Sequence, residues 1–251
     1  MLPVFILLAL SSILVGVTIG AAGVGGVLLI PALMFFGGLG THEAMATALF
    51  SFFFTGVIGT FIYHRYGSFD WKITFPVLAG SFISSYGGAY VGSLATAAQL
   101  DATLALVIIL SSLYSMFPPK QANLAERLTG GRNALLLFGI GLFTGFFCGL
   151  TGAGGGIISV PVMLIFGYAA LPTIATSQVL QSVVSVSGSA STIASGFVVF
   201  SLVWWVTLCE LAGVVVGVRI AHAVPVPKLK KAVTRICLVI GVFIAARAFL
   251  R

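Results

Sequence analysis

Charge is what this sequence has least of. Of 251 residues only 7% are Asp, Glu, Lys or Arg, and only five are acidic, where a soluble domain carries about 25% charged residues. So small a supply cannot keep the surface of a soluble domain in water, and a soluble fold is excluded. Regular apolar/polar alternation is also missing. A membrane β-barrel needs it over about ten positions per strand, so the long continuous apolar runs must be helices, whose backbone groups bond within their own segment. Cysteine is scarce: Cys148, Cys209 and Cys237 all sit inside apolar runs, at no metal-ligand or disulfide spacing. The three histidines are scattered. Neither HExxH nor GxSxG occurs, and no lysine follows the glycines at 152–156, which removes the footing for metal, hydrolase and nucleotide chemistry. No cofactor, no metal and no enzymatic activity are expected.

What remains is 59% hydrophobic, with a mean hydropathy of +1.19: a polytopic membrane protein whose first partner is the lipid bilayer. The opening MLPVFILLALSSILVG has neither a basic n-region nor a small-x-small cleavage site and reads as a retained first transmembrane helix. Twelve Lys/Arg against five Asp/Glu would suggest nucleic acid in a soluble protein. Here it reads as cytoplasmic loops obeying the positive-inside bias, with no nucleic-acid partner.

The chain repeats itself. GGVLLIP (Gly25 to Pro31) returns as GGIISVP (Gly155 to Pro161), Ala46-Thr47 as Ala175-Thr176, Gly67 as Gly196, Gly88 as Gly217 and Leu100 as Leu229. The offset is 130 at the first pair (155 − 25) and 129 at the others (176 − 47, 217 − 88, 229 − 100). A first transmembrane repeat over 1–117, a polar cytoplasmic linker over 118–132 and a second repeat over 133–251 follow. Each half divides into five segments, at 2–19, 27–37, 42–63, 70–95 and 100–117, then 133–149, 157–167, 171–193, 198–222 and 229–249. The second segment of each half is too short to cross ~30 Å of hydrocarbon comfortably at 1.5 Å per residue.

Basic residues set the relation of the halves. His64, Arg65 and Lys72 flank the loop after the third segment of half one, whereas the equivalent loop of half two, ASGFVVFSL, is uncharged. In half two they gather after the fourth segment, at Arg219, Lys228, Lys230, Lys231 and Arg235. An odd number of crossings per half places these regions and the linker inside and both termini outside. The expected fold is therefore all-α, with two inverted-topology repeats of about five segments and short discontinuous helices near the midplane.

GLTGAGGGIISVPV, residues 149–162, reads as such a discontinuity: a long helix, a break at the glycines, then a short helix, with Pro161 and its half-one counterpart Pro31 read as helix-break prolines. The first turn of a helix leaves N–H groups without intrahelical partners at an electropositive end. In hydrocarbon an anionic ligand can accept from them, and glycine lets it approach the backbone. Inverted repeats bring two such breaks together at midplane, where transporters of this design hold substrate. Close packing through small residues is the competing reading and is preferred for Gly88/Gly92 and Gly213/Gly217.

The duplicated G-x-G-G-x4-P, the following A-T and the Gly/Ala-rich helix ending in a basic L-K-K loop resemble the sulfite exporter TauE/SafE family, also called the 4-toluene sulfonate uptake permease group. The resemblance covers nearly the whole chain, with a departure at Val24, where half two has Gly154. It implies transport of a small sulfur-containing anion such as sulfite, thiosulfate or an organosulfonate across the cytoplasmic membrane of a prokaryote.

Candidate substrate contacts are Gly25 and Gly26 at the first break, and Thr151, Gly154, Gly155 and Gly156 at the second. Thr176, Ser177, Gln178 and Gln181 open the helix after the short one, where their donors suit a sulfonate's oxygens, unless they serve as interhelical glue. Thr47 and Ser51 are their counterparts in half one. Thr151 either caps the short helix or touches the ligand. Glu210 is the one carboxylate read as lying deep inside a span, and such a group is a functional candidate by default. It either carries a coupling proton or pairs with Arg219 or Arg247. His42-Glu43 suit a helix N-terminus, and Trp71, Trp204 and Trp205 suit the interface. The leading expectation is a secondary transporter working by alternating access, proton coupling included as an option. A passive anion channel is the alternative. Gly/Ala faces permit a homodimer without demanding one.

Overall fold

A computed structural model describes residues 2–116 and 130–223, and these are helical almost throughout. In chain order the helices are α1 (Leu2–Ala22), α2 (Leu29–Phe35), α3 (Thr41–Arg65), α4 (Trp71–Leu94), α5 (Ala97–Met116), α6 (Gly131–Thr151), α7 (Gly156–Ile165), α8 (Ala170–Ala194) and α9 (Phe200–Ala223), with a short 3-10 turn at Gly26–Leu28 before α2. The expected segments match these bounds to within a few residues. The tenth, 229–249, and most of the linker lie outside the described residues; Arg132 is not in the linker but in the first turn of α6.

Polar residues start the helices where sequence patterning suggests. Glu43 Oε2 accepts from Gly40 N at 3.0 Å, so the acid at the start of α3 serves as a cap. Asp70 Oδ1 accepts from Lys72 N at 3.0 Å at the start of α4. Thr96 and Gln99 bond reciprocally at the start of α5, at 2.9 and 3.3 Å. Four helices, α1, α3, α6 and α9, are long and apolar enough to cross a membrane on length and composition. The long helices α4 and α8 are richer in Ser, Thr and Gly. α8 turns its polar residues inward, where Thr173, Thr176, Ser177, Gln178, Gln181 and Ser185 are all buried.

Glycines let the helices approach backbone to backbone. A Cβ at Gly88 or Gly92 would strike Phe146 O or Leu150 O on α6, and one at Gly213 or Gly217 would strike Ile13 O or Val17 O on α1. These contacts also give direction. Gly16 lies beside Glu210 and Gly20 beside Val214, so α1 and α9 run the same way. Gly80 lies beside Phe138 and Gly88 beside Phe146, so α4 and α6 do too. Thr47 meets Val199 and Tyr63 meets His222, which aligns α3 with α9. Thr74 meets Thr176 and Phe82 meets Ser187, which aligns α4 with α8. Gly59 lies beside Gln178 while Gly188 lies beside Leu49, so α3 and α8 cross the core in opposite directions. Helices α1, α3 and α9 therefore run one way and α4, α6 and α8 the other.

That arrangement gathers Arg65, Lys72, Arg132 and Arg219, all the Lys and Arg of the described residues, at one end, together with His64 and His222. His222 stacks on Tyr66 with ring centroids 4.0 Å apart and bonds Ser68 at 3.0 Å. His42 and Glu43 mark the opposite end, with Asp101 of α5 accepting from Thr41 Oγ1 at 3.0 Å. Glycines with positive φ recur at equal spacing: Gly23 and Gly152 (67° and 63°), Gly38 and Gly167 (68° and 92°), Gly67 and Gly196 (68° and 73°). Each pair is 129 residues apart (152 − 23, 167 − 38, 196 − 67).

Candidate functional site

Both breaks occur where a glycine takes a left-handed backbone that a side chain would strain. α1 ends before Gly23, and α6 ends on Gly152, whose N–H bonds Cys148 O at 2.9 Å. After each break the chain turns back. Gly23 lies against Ser177 and Ile174, near the start of α8, whereas Gly26 already lies against Phe52 in the middle of α3. Conversely, Gly152 lies against Met45 near the start of α3, and Gly155 against Leu180 and Gln181 in the middle of α8. The two turns meet. A Cβ at Gly156 would fall on the Gly23 carbonyl oxygen, and one at Gly26 would come within 3.0 Å of Ala153 O.

Pro31 and Pro161 do not break their helices. Pro31 is the third residue of α2, where a missing N–H costs nothing, and Pro161 lies inside α7. The interruption belongs to the glycines before them. The second break is one residue longer relative to the flanking helices, which is why GG-x4-P carries an offset of 130 between stretches at 129.

Gly26 and Gly154 lie against the ring of Phe52, which is fully buried, while Gly155 packs on Leu180 and Gln181 and Gly156 on Gly23. A Cβ at Gly154 would lie 3.3 Å from that ring and 3.7 Å from Gln181 Oε1. Gln181 Nε2 donates to Thr55 Oγ1 at 2.9 Å. Just beyond, Gln178 Nε2 donates to Ile19 O at 2.9 Å on the last turn of α1 while its Oε1 has no hydrogen-bond partner. Gly25 packs on Thr18, and Ser177 faces Gly23 with its hydroxyl bonded to Ile174 O at 2.7 Å. Within α7, Ser159 returns a bond to Gly155 O at 2.7 Å. No Lys or Arg of the described residues reaches this centre. The polar groups at this centre are the electropositive start of α7, the side-chain amides of Gln178 and Gln181, and nearby hydroxyls.

Other candidates lie elsewhere. Thr47 Oγ1 accepts from Val199 N at 3.1 Å ahead of α9, and Thr176 bonds Thr74 at 2.8 Å near the start of α4. They are interhelix ties at equivalent positions rather than members of the central group. Thr151 donates to Phe147 O at 2.7 Å and does not cap α7, whose first turn follows Gly155 without a side-chain cap. Ser51 donates to Ala48 O at 2.9 Å and faces Glu210 across the α3–α9 contact. Glu210 is fully buried, and neither carboxyl oxygen has a hydrogen-bond partner. Arg219 does not pair with it: its side chain is exposed and lines a pocket with Arg65 and Tyr66 at the basic end. Arg247 lies outside the described residues.

Sequence reading overlooked Phe52, Thr55, Thr18 and Gly23. Phe52 had a usable signal, since it is the repeat counterpart of Gln181. Buried Asp101 was also overlooked, hidden by its place at the very start of a segment. At the His42 end a narrow cleft with about 20 Å³ of room is lined by Met45, Leu49, Thr192, Gly149 and Gly152.

Apolar membrane-length helices around two meeting helix breaks define a multi-pass membrane protein of the transporter type. Over residues 8–244 the chain matches the family described as Sulfite exporter TauE/SafE, and it belongs to that family. It is 28% identical over 244 residues to the probable membrane transporter protein YunE of Bacillus subtilis (strain 168), covering 88% of each chain. It is 27% identical over 196 residues to the probable membrane transporter protein MJ0441 of Methanocaldococcus jannaschii, covering 73% of this chain and 72% of that one. No solved structure matches it.

Proposed function

We propose that this membrane transporter moves small sulfur-containing anions, sulfite, thiosulfate or organosulfonates, by alternating access between two inverted repeats, 1–117 and 133–251. The observation that carries the reading is the meeting of the two glycine breaks at the middle of α3 and α8, with the first turn of α7 opening there beside Gln181 and Thr55. An oxyanion of sulfur has several acceptor oxygens on one small centre, which suits backbone and amide donors converging from two sides.

Inversion is supported by direction. Under the repeat pairing α1 corresponds to α6, α3 to α8 and α4 to α9, and in each pair the members run opposite ways. The basic end then faces the cytoplasm by the positive-inside bias, which puts the amino terminus outside; an odd number of crossings in the second half does the same for the carboxyl terminus. The membrane would be the cytoplasmic membrane of a prokaryote. A coupled carrier is favoured over a passive channel because the Phe52 ring lies against both breaks, where an open conduit would need space. Nothing described bears on a homodimer, which stays a proposal resting on the Gly/Ala faces. The test is counterflow in proteoliposomes: preloaded sulfite should accelerate entry of labelled sulfite with saturation, whereas unsaturable flux with no trans-acceleration would mean a channel.

A further inference from the structure

The two halves are built alike around their closest helix contacts, and at one of them an acid stands where the other half has a hydroxyl. Gly16 of α1 lies on the backbone of Glu210 in α9, and its counterpart Gly145 of α6 lies on the backbone of Ser81 in α4. Position 81 corresponds to 210 at the offset of 129 (210 − 81). Ser81 satisfies its hydroxyl locally, donating to Leu78 O at 3.0 Å. Glu210 places a carboxyl in the same setting, fully buried and with both oxygens unpartnered. A serine suffices for the packing, so the carboxyl is surplus to structure, and a bare carboxylate there is costly.

The groups around it leave little choice of partner. α1 contributes Gly16 and has no titratable side chain among its described positions. α3 contributes Ser51, its own titratable residues lying at its ends in His42, Glu43, Tyr63, His64 and Arg65. On α9 the neighbour is the Cys209 thiol. Among the described residues no cation faces the acid, which leaves a proton from solvent to neutralise it. Ser51, which faces Glu210, is the chain neighbour of Phe52, whose ring lies on both glycine breaks.

We infer that Glu210 is the site of a co-transported proton, taken up when the anion site between the breaks is filled and released when it empties. The step is carboxylate plus proton giving neutral carboxyl, and no other bond changes. An ionised Glu210 in the same apolar interior would disfavour entry of a second negative charge, so anion and proton enter together and leave together, which makes the transport symport. This rests on the transport reading, but the acid's titration can be examined apart from it.

Infrared difference spectra of purified protein between high and low pH should show a protonated-carboxyl band that is missing from Glu210→Gln. In proteoliposomes, an inward acid gradient should drive accumulation of labelled sulfite. Glu210→Gln should lose at least tenfold of that accumulation while exchanging sulfite within about twofold of wild type. Glu210→Ser, which copies Ser81, serves if the amide fails to fold. Absence of a Glu210-dependent band would overturn the inference, as would gradient-driven accumulation that survives both substitutions. Loss of exchange along with accumulation in a stably folded variant would also overturn it, making Glu210 part of the pathway. Wild type that titrates Glu210 but moves no sulfur anion would refute the transported species and leave the proton site standing.

Discussion

Replacing Gly156 by alanine probes the meeting of the two breaks most sharply. The added methyl would sit on the Gly23 carbonyl oxygen, with Gly23 Cα only 3.3 Å away. Both obstacles are backbone, held by the ends of α1 and α7, so no flexible side chain can swing aside. Overpacking of this kind costs about 1–3 kcal/mol or more, and at about 2–4 °C per kcal/mol for a chain of this size the Tm in detergent should fall by roughly 5 °C. Binding should suffer more than stability, because relieving the clash separates the donors of α7 from the Phe52–Gln181 side. Two alanine controls isolate this. Gly139→Ala meets nothing within 4 Å and should hold or raise Tm, since alanine favours a helix interior by up to about 1 kcal/mol. Gly213→Ala, clashing with Ile13 O at the α1–α9 contact, should lower Tm and leave anion affinity intact. Thermal melts with and without sulfite read both quantities. Wild-type Tm and wild-type sulfite stabilisation in Gly156→Ala would refute the geometry of the breaks.

Gln181→Leu removes the bond to Thr55 and should weaken sulfite binding about tenfold, the equivalent of about 1.4 kcal/mol, as read by sulfite titration of Tm. Tyr63→Phe deletes the buried bond from Tyr63 Oη to Gly20 O at 2.8 Å, which ties α3 to the last turn of α1; Tm should fall by the equivalent of about 1 kcal/mol. Single cysteines at His64 and His42, placed in a background with Cys148, Cys209 and Cys237 replaced, should label from opposite faces with a membrane-impermeant thiol reagent in intact cells. Only the one at His42 should react from outside, and labelling of both from one face would refute the orientation.

The helices were legible because breakers and caps punctuate otherwise unbroken apolar runs. His42-Glu43 mark a start that the structure keeps, with Glu43 capping α3. The position of the breaks was legible too, from clustered glycines, but which of those glycines takes the positive φ that turns the chain back, Gly23 and Gly152, was not. Partners were the least legible part. Thr47 and Thr176 look as suitable for an oxyanion as Gln181 does, and only the packing shows them tying neighbouring helices. Thr55 and Thr18 are ordinary helix-face residues until a helix from the other half reaches them. Glu210 stood out in the sequence as an acid among apolar residues, yet that no described residue bonds its carboxyl became visible only when α1 and α3 closed around it.

The central claim is that the two breaks form a site for a small sulfur anion. Thermal melts of the detergent-purified protein against sulfite, thiosulfate, taurine, sulfoacetate, formate and chloride test it most directly. A ligand at a hundredfold its Kd stabilises by about 2.7 kcal/mol, so at least one sulfur anion should raise Tm by about 5 °C or more, formate and chloride should not, and the rise should vanish in Gly155→Leu. An equal response to all six, or a sulfur-anion response that survives in Gly155→Leu, would contradict it.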